Sequence, residues 1–210
     1  MGFFATARTR NLGAFSDMVS LQSTLFGGVR QLAALLGVNL YQHLDDRRVL
    51  EETILPYFAA RDEYSRILFV GCAWFTQRYE QIFKGSEYWT LDADRARNKF
   101  GGERHIHGSL QDISAHFADE SLDVIVCNGV LGWGLNEKQQ VELAFSACVD
   151  ALRPGGVFVL GWNDVALRRP CRPEDCHSLR SMRPFELPPL RATRRRCRGT
   201  SRHTYDFYVK

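Results

Sequence analysis

A glycine and an acid 21 positions apart are the residues with the clearest chemical potential. Arg66 to Val70 is a short apolar run that leads into Gly71-Cys72-Ala73-Trp74-Phe75-Thr76. This is the pattern of a buried strand entering a tight turn, with Thr76 expected as N-cap of a helix whose inner face carries Tyr79, Ile82 and Phe83. A second run, Tyr88-Trp89-Thr90-Leu91, ends at Asp92, 21 residues beyond Gly71. An acid at about that distance from a strand–turn–helix junction accepts hydrogen bonds from ribose hydroxyls. A dinucleotide would also need glycines where Ala73, Trp74 and Thr76 stand, because its pyrophosphate must approach bare backbone. The turn therefore points to a nucleoside without linked phosphates, and its aromatic faces favour a cationic centre.

Three further segments follow in order: Gly108-Ser109-Leu110-Gln111-Asp112, Ser121-Leu122-Asp123-Val124-Ile125-Val126-Cys127-Asn128-Gly129-Val130-Leu131, and Ala151-Leu152-Arg153-Pro154-Gly155-Gly156-Val157-Phe158. With the Gly71 turn and Asp92, they make roughly residues 64 to 164 resemble the class I S-adenosylmethionine-dependent methyltransferases, in particular the small-molecule, type 11-like branch. The resemblance implies S-adenosyl-L-methionine as cofactor, with Gly71, Cys72, Ala73 and Trp74 forming its first loop and Asp92 gripping the ribose. It also implies Ser109 and Leu110 at the adenine edge, and Asn128 with its loop against the methionine part and the substrate. Phe69 stands where the family has an acid in the first strand, and Ala73 and Phe75 stand where it has glycines. A binding or scaffold protein on the same fold is the alternative that these departures raise.

Methyl transfer from a sulfonium is an in-line displacement with a good leaving group, so alignment supplies most of the rate and the enzyme needs no nucleophile. A general base helps only where the acceptor holds its proton firmly. His105, His107, His203, Tyr205 and Asp164 are candidates, and Asp164 and His203 are the expected catalytic pair because strand-end loops line the site in this architecture. Asn128 is followed by Gly129-Val130 rather than the Pro-Pro-Tyr of amino-methylating relatives. An oxygen or carbon acceptor on a small metabolite is therefore expected. Gly132-Trp133-Gly134 is a candidate wall for its pocket. Cys171, Cys176, His177 and Cys197 fit no tight ligand frame, so no metal is expected.

The elements that must position these groups follow from periodicity. Apolar runs at Ile67–Val70, Tyr88–Leu91, 104–107, Val124–Cys127 and Val157–Leu160 alternate with helical patterns, the clearest being Val141, Ala144, Phe145, Cys148, Val149 and Leu152 on one face. Strands alternating with helices give a doubly wound α/β fold with a mostly parallel sheet, Rossmann-like, over residues 66–210. Residues 1–65 read as an N-terminal helical cap. Residues 203–209 read as a closing strand, with an antiparallel edge neighbour starting in 185–190 and the Arg194-Arg195-Arg196 turn exposed between them.

The 210 residues carry 27 Lys and Arg against 24 Asp and Glu, and 45% of them are hydrophobic. This composition excludes disorder and disulfide-built miniproteins. No run has the ~18 apolar residues of a membrane span. Six irregularly placed cysteines favour reduced thiols and a cytoplasmic setting. Residues 166–210 hold 12 basic residues against 4 acids, a net of +8. Without aromatic interleaving or a nucleic-acid motif, this basic part reads as a solvated arginine coat, and a small molecule is the expected partner rather than nucleic acid.

Overall fold

The computed structural model describes residues 44–210, and the first 43 residues of the expected cap lie outside them. The described chain opens with a helical segment: α1 (Asp45–Val49), a π-helical turn (Leu50–Ile54) and α2 (Leu55–Ala59). Pro56 lies one turn on, where it offers no N–H and its ring crowds the carbonyl four residues earlier, a strain that a wider turn relieves. Val49, Leu50, Ile54 and Leu55, one of the expected apolar sets, are all buried.

The strands are β1 (Arg66–Val70), β2 (Glu87–Asp92), β3 (Arg104–His107), β4 (Leu122–Asn128), β5 (Leu152–Asn163), β6 (Arg183–Pro184), β7 (Arg194–Arg196) and β8 (His203–Val209). They form one sheet in the order β3-β2-β1-β4-β5-β8-β6, with β7 paired to β8. The first five strands run parallel, and β8 is antiparallel to β5, β6 and β7. The fold is thus doubly wound and Rossmann-like with antiparallel strands toward one edge. Strand order reverses between β1 and β4, and at such a switch point the loops diverge and leave a crevice. Val70 pairs with both Leu91 and Cys127, so Gly71, Asp92 and Asn128 emerge side by side at the carboxyl ends.

Side chains alternate along each strand, so both faces are covered. Leu68, Val70, Ile125, Cys127, Phe158 and Leu160 share one core cluster with Val141, Ala144, Phe145 and Cys148 of α4 (Lys138–Ala151). Ile67, Phe69, Val124, Val126, Val157 and Val159 share the other with Leu50, Ile54, Leu55 and Phe58. Phe69 packs edge-on against Tyr79 at 5.2 Å between ring centroids. Among the described residues no helix is long and apolar enough to cross a membrane.

Three local expectations are corrected. Leu152 begins β5 instead of ending α4. The strand expected from Phe185 does not form, because Pro188 and Pro189 supply no N–H to a ladder. The pairing is made instead by β6 and by Arg194–Arg196, which is a strand, exposed along its length, rather than a turn. Thr76 does not cap a helix, since α3 (Tyr79–Ile82) starts later. Its hydroxyl instead closes the turn on Ala73, accepting from the N–H at 3.0 Å and donating to the carbonyl at 2.8 Å.

Asp123 staples the amino end of this sheet. It accepts the Ser65 and Arg66 N–H groups at 2.8 and 2.7 Å and pairs with Arg153. Burial alone would raise its pKa, but the hydrogen bonds from Arg153, Arg66 and Ser65 outweigh it and hold the carboxyl below the ordinary range. A depressed native pKa gives stability that is present above the unfolded value of about 4 and lost as pH falls through the native one. Asp123→Asn is expected to cost about 2 kcal/mol in urea unfolding at pH 7, with the gap to wild type closing toward pH 3.

Candidate functional site

The turn after β1 is set by a close approach. Gly71 has φ +97°, and a Cβ there would lie 2.4 Å from the Asn128 carbonyl oxygen. Only glycine combines that dihedral with that contact. The Gly71 N–H donates to Leu91 O at 3.0 Å, tying the turn to β2. At the end of β2 the Asp92 carboxylate divides its oxygens: Oδ2 accepts the Cys72 N–H at 2.7 Å and Oδ1 the Asp94 N–H at 2.8 Å. Asp92 is only 8% exposed, so it fixes the walls of the crevice. Each of its oxygens still keeps a lone pair to offer.

The crevice at this point has a volume of about 180 Å³ and is lined by Gly71, Asp92, Ser109, Leu110, Gly129 and Trp133, among others. Four of the expected cofactor residues, Gly71, Asp92, Ser109 and Leu110, are thereby brought together. Ser109 also orders its own loop, its hydroxyl accepting the Gln111 N–H at 3.3 Å. Cys72 contributes backbone, while its thiol is buried and pushed up to about 12 by burial and the Asp92 charge, which keeps it neutral. Ala73 is occupied by Thr76, and Trp74 stands edge-on to Phe75 instead of lining the crevice. Trp133 lines it, as expected, with the Arg168 guanidinium 3.6 Å over its ring.

Sequence reasoning missed Arg97, which also lines the crevice and donates to Cys72 O at 3.0 Å. Its only signal was a basic residue three positions after Asp94, with which it pairs at 3.4 Å.

Asn128 turns its side chain away from the crevice. Its Oδ1 lies 3.1 Å from His203 Nε2, and His203 Nδ1 lies 2.7 Å from Asn163 Oδ1. Gly161 makes room, since a Cβ there would overlap the Asn128 amide at 2.0 Å. Burial lowers the His203 pKa to about 4, so the ring is neutral at pH 7. A neutral imidazole donates from one nitrogen only, so one asparagine must turn its amide nitrogen toward the ring.

Asp164, next along β5, meets Arg169, Arg196 and Arg202. Burial would raise its pKa, but these guanidinium groups hold it below the ordinary range. Of the remaining candidate bases, His105 Nδ1 sits 3.0 Å from the Thr90 hydroxyl on β2, while Tyr205 packs its ring edge-on against His203 at 4.7 Å and donates its hydroxyl to Asp46 O at 3.1 Å.

Among the described residues no three His, Cys, Asp or Glu groups are placed to hold a metal. Cys171 and Cys176 bring their sulfurs to 3.5 Å on one side of the sheet, whereas Cys197 belongs to the core on the other.

With this geometry in view, residues 70–160 match the family model of a methyltransferase domain. The described fold is similar to that of the N-methyltransferase NodS from Bradyrhizobium japonicum, solved with S-adenosyl-L-homocysteine. The TM-score is 0.62 at 17% identity, over 81% of this chain and 90% of that one. It is also similar to a TehB-like SAM-dependent methyltransferase from Corynebacterium glutamicum, with a TM-score of 0.58 at 18% identity over 91% and 99% of the two chains. No curated protein matches the sequence. The matched segment begins at the end of β1 and closes within β5, so it contains every described residue that lines the crevice.

A pH test follows from His203. Its native pKa lies below the unfolded value of about 6.5, so stability is full above that value and falls as pH drops toward 4, where only the unfolded chain takes up the proton. In His203→Gln, the loss of melting temperature between pH 7.5 and pH 5 is expected to shrink, with His105, also lowered by burial, supplying the remainder. Differential scanning calorimetry at the two pH values measures it.

Proposed function

We propose that the chain is an S-adenosyl-L-methionine-dependent methyltransferase that transfers a methyl group to an oxygen or carbon of a small metabolite. The observation that carries this reading is the placement of Asp92. It ends the second strand at the switch point, faces the crevice with acceptor capacity to spare, and lies inside the segment that matches a methyltransferase domain. A carboxylate so held accepts from the two hydroxyls of an unphosphorylated ribose.

The residues present fit a nucleoside. Of the first loop Gly71 lines the crevice, while the Cys72 and Ala73 N–H groups are engaged by Asp92 and Thr76, and Ser109 and Leu110 stand across the crevice where an adenine edge would rest. The cofactor, when bound, supplies a methyl group activated on a sulfonium. What the chain supplies is alignment, which for two well-oriented reactants accounts for roughly 7 to 11 kcal/mol of a barrier. Asn128 is held at the end of β4 by His203, and Trp133 closes the acceptor side with an aromatic wall.

Of the two expected bases, His203 is neutral and adjoins the strand end that serves the acceptor. It is buried and held through both ring nitrogens by Asn163 and Asn128, so its part is to fix Asn128 at that strand end. Asp164 is engaged by arginines, and its part is to orient them. NodS is by name an N-methyltransferase, but at 17% identity that likeness bears on the fold and not on the acceptor atom. The sequence Asn128-Gly129-Val130 supports oxygen or carbon.

Titration calorimetry with S-adenosylhomocysteine tests the reading. Asp92→Asn is expected to weaken binding by more than about tenfold, the scale of a lost hydrogen bond to a charged group. Equal affinities in the two proteins would remove Asp92 from the site, and no binding to the wild type would favour the scaffold alternative.

A further inference from the structure

We infer that the acceptor carries an oxyanion, a carboxylate or a phosphate, and that an arginine-lined pocket beside the end of β5 holds it. This inference rests on the methyltransferase reading above. The pocket has a volume of about 380 Å³ and is walled by Trp162, Asp164, Arg172, Glu174, Arg194 and Arg196. Its acids are already neutralised: Asp164 by Arg169, Arg196 and Arg202, and both Glu174 and the adjoining Asp206 by Arg194. Among the residues that line the pocket, three guanidinium groups, of Arg172, Arg194 and Arg196, stand against the two carboxylates of Asp164 and Glu174, a surplus of one positive charge.

Arg172 is the lining group most open to a ligand. It is exposed and lines the pocket, its guanidinium makes no hydrogen bond with any described residue, and it reaches Glu174 only through space. Arg196 gives one nitrogen to Asp164 and leaves its side chain 54% exposed. Planar guanidinium forks at a pocket wall match the paired oxygens of a carboxylate or phosphate. The indole N–H of Trp162 is taken by Asp206 at 2.7 Å, so the ring offers the pocket an apolar surface. An anion attached to an apolar body suits both features.

The chain that leaves β5 beside the pocket also reaches the wall of the proposed transfer site. The loop that leaves β5 returns Arg168 over Trp133 and donates from Arg168 to Gly132 O at 3.2 Å. An acceptor fixed by its anion in the pocket would extend past this loop toward the crevice. A polyanion is the poorer fit, because Arg169, Arg194, Arg196 and Arg202 are committed to ion pairs with Asp164 and Asp206 instead of being spread along a surface.

Calorimetry in low-salt buffer, where screening is weak, tests this with three probes: inorganic phosphate, malonate and S-adenosylhomocysteine, each against wild type and Arg172→Gln. Because Arg172 is exposed and unbonded, the variant is expected to fold. The expected result is millimolar binding of phosphate or malonate that weakens by about tenfold or more in the variant, with S-adenosylhomocysteine affinity unchanged. Binding of phosphate alone assigns a phosphate, and of malonate alone a carboxylate. If neither oxyanion binds, or the variant binds it equally well, while S-adenosylhomocysteine still binds, the pocket is overturned and the methyltransferase reading survives. Oxyanion binding by a protein that ignores S-adenosylhomocysteine overturns the acceptor role together with that reading.

Discussion

Between the carboxyl ends of β1 and β4 there is no space for a side chain. The Asn128 carbonyl oxygen lies where a Cβ on residue 71 would go, and the backbone there has turned to positive φ. That closeness lets the first loop lean over the switch point, sets the Cys72 N–H within reach of Asp92, and so makes one carboxylate the common fastening of two loops. Without the approach of β1 to β4 the crevice would lose its floor and its acid together. A second close approach repeats the device one strand along: Gly161 on β5 yields its side-chain space to the Asn128 amide, which then meets His203 on β8. Two glycines, one in the turn after β1 and one on β5, thus flank Asn128 on either side.

Burial decides which of the polar groups near these strand ends can change charge. Cys72 and His203 are both kept neutral by removal from water, the thiol by raising its pKa and the imidazole by lowering it. Asp164 goes the other way, because three guanidinium groups more than offset its desolvation. The result is a neutral, hydrogen-bonded centre beside a charged rim. In such a centre, geometry and not proton transfer is what the protein has to offer, which is the demand that displacement at a sulfonium makes.

The basic carboxyl-terminal part shows how composition alone misleads. A net +8 over 166–210 reads as a solvated coat, yet β8 from this segment is seated between β5 and β6, with Tyr205 and Phe207 buried. Arg194 pairs with Asp206 within β8, and Arg196 and Arg202 pair with Asp164 just past the end of β5. Sequence counting sees the sum of charges, whereas the folded chain arranges them in pairs across strands. The paired arrangement turns a diffuse basic patch into a walled hollow with a small surplus.

Local pattern fixed the alternation of strands and helices, the parallel sheet, and the level at which Gly71, Asp92 and Asn128 leave it. Those features depend on the periodicity of neighbouring residues and on spacing along one chain. The helical face of Val141, Ala144, Phe145 and Cys148 and the closing strand at 203–209 were legible for the same reason. Contacts between segments far apart in sequence were not. Pairing of His203 with Asn128 spans 75 residues and that of Arg196 with Asp164 spans 32. Arg97 entered the crevice unannounced, and β7 formed from three arginines only because β8 offered Asp206 and Thr204 as partners. Tertiary structure decided these points because a side chain's partner, its burial and hence its charge state are properties of the assembled strand ends, and no window along the chain contains them.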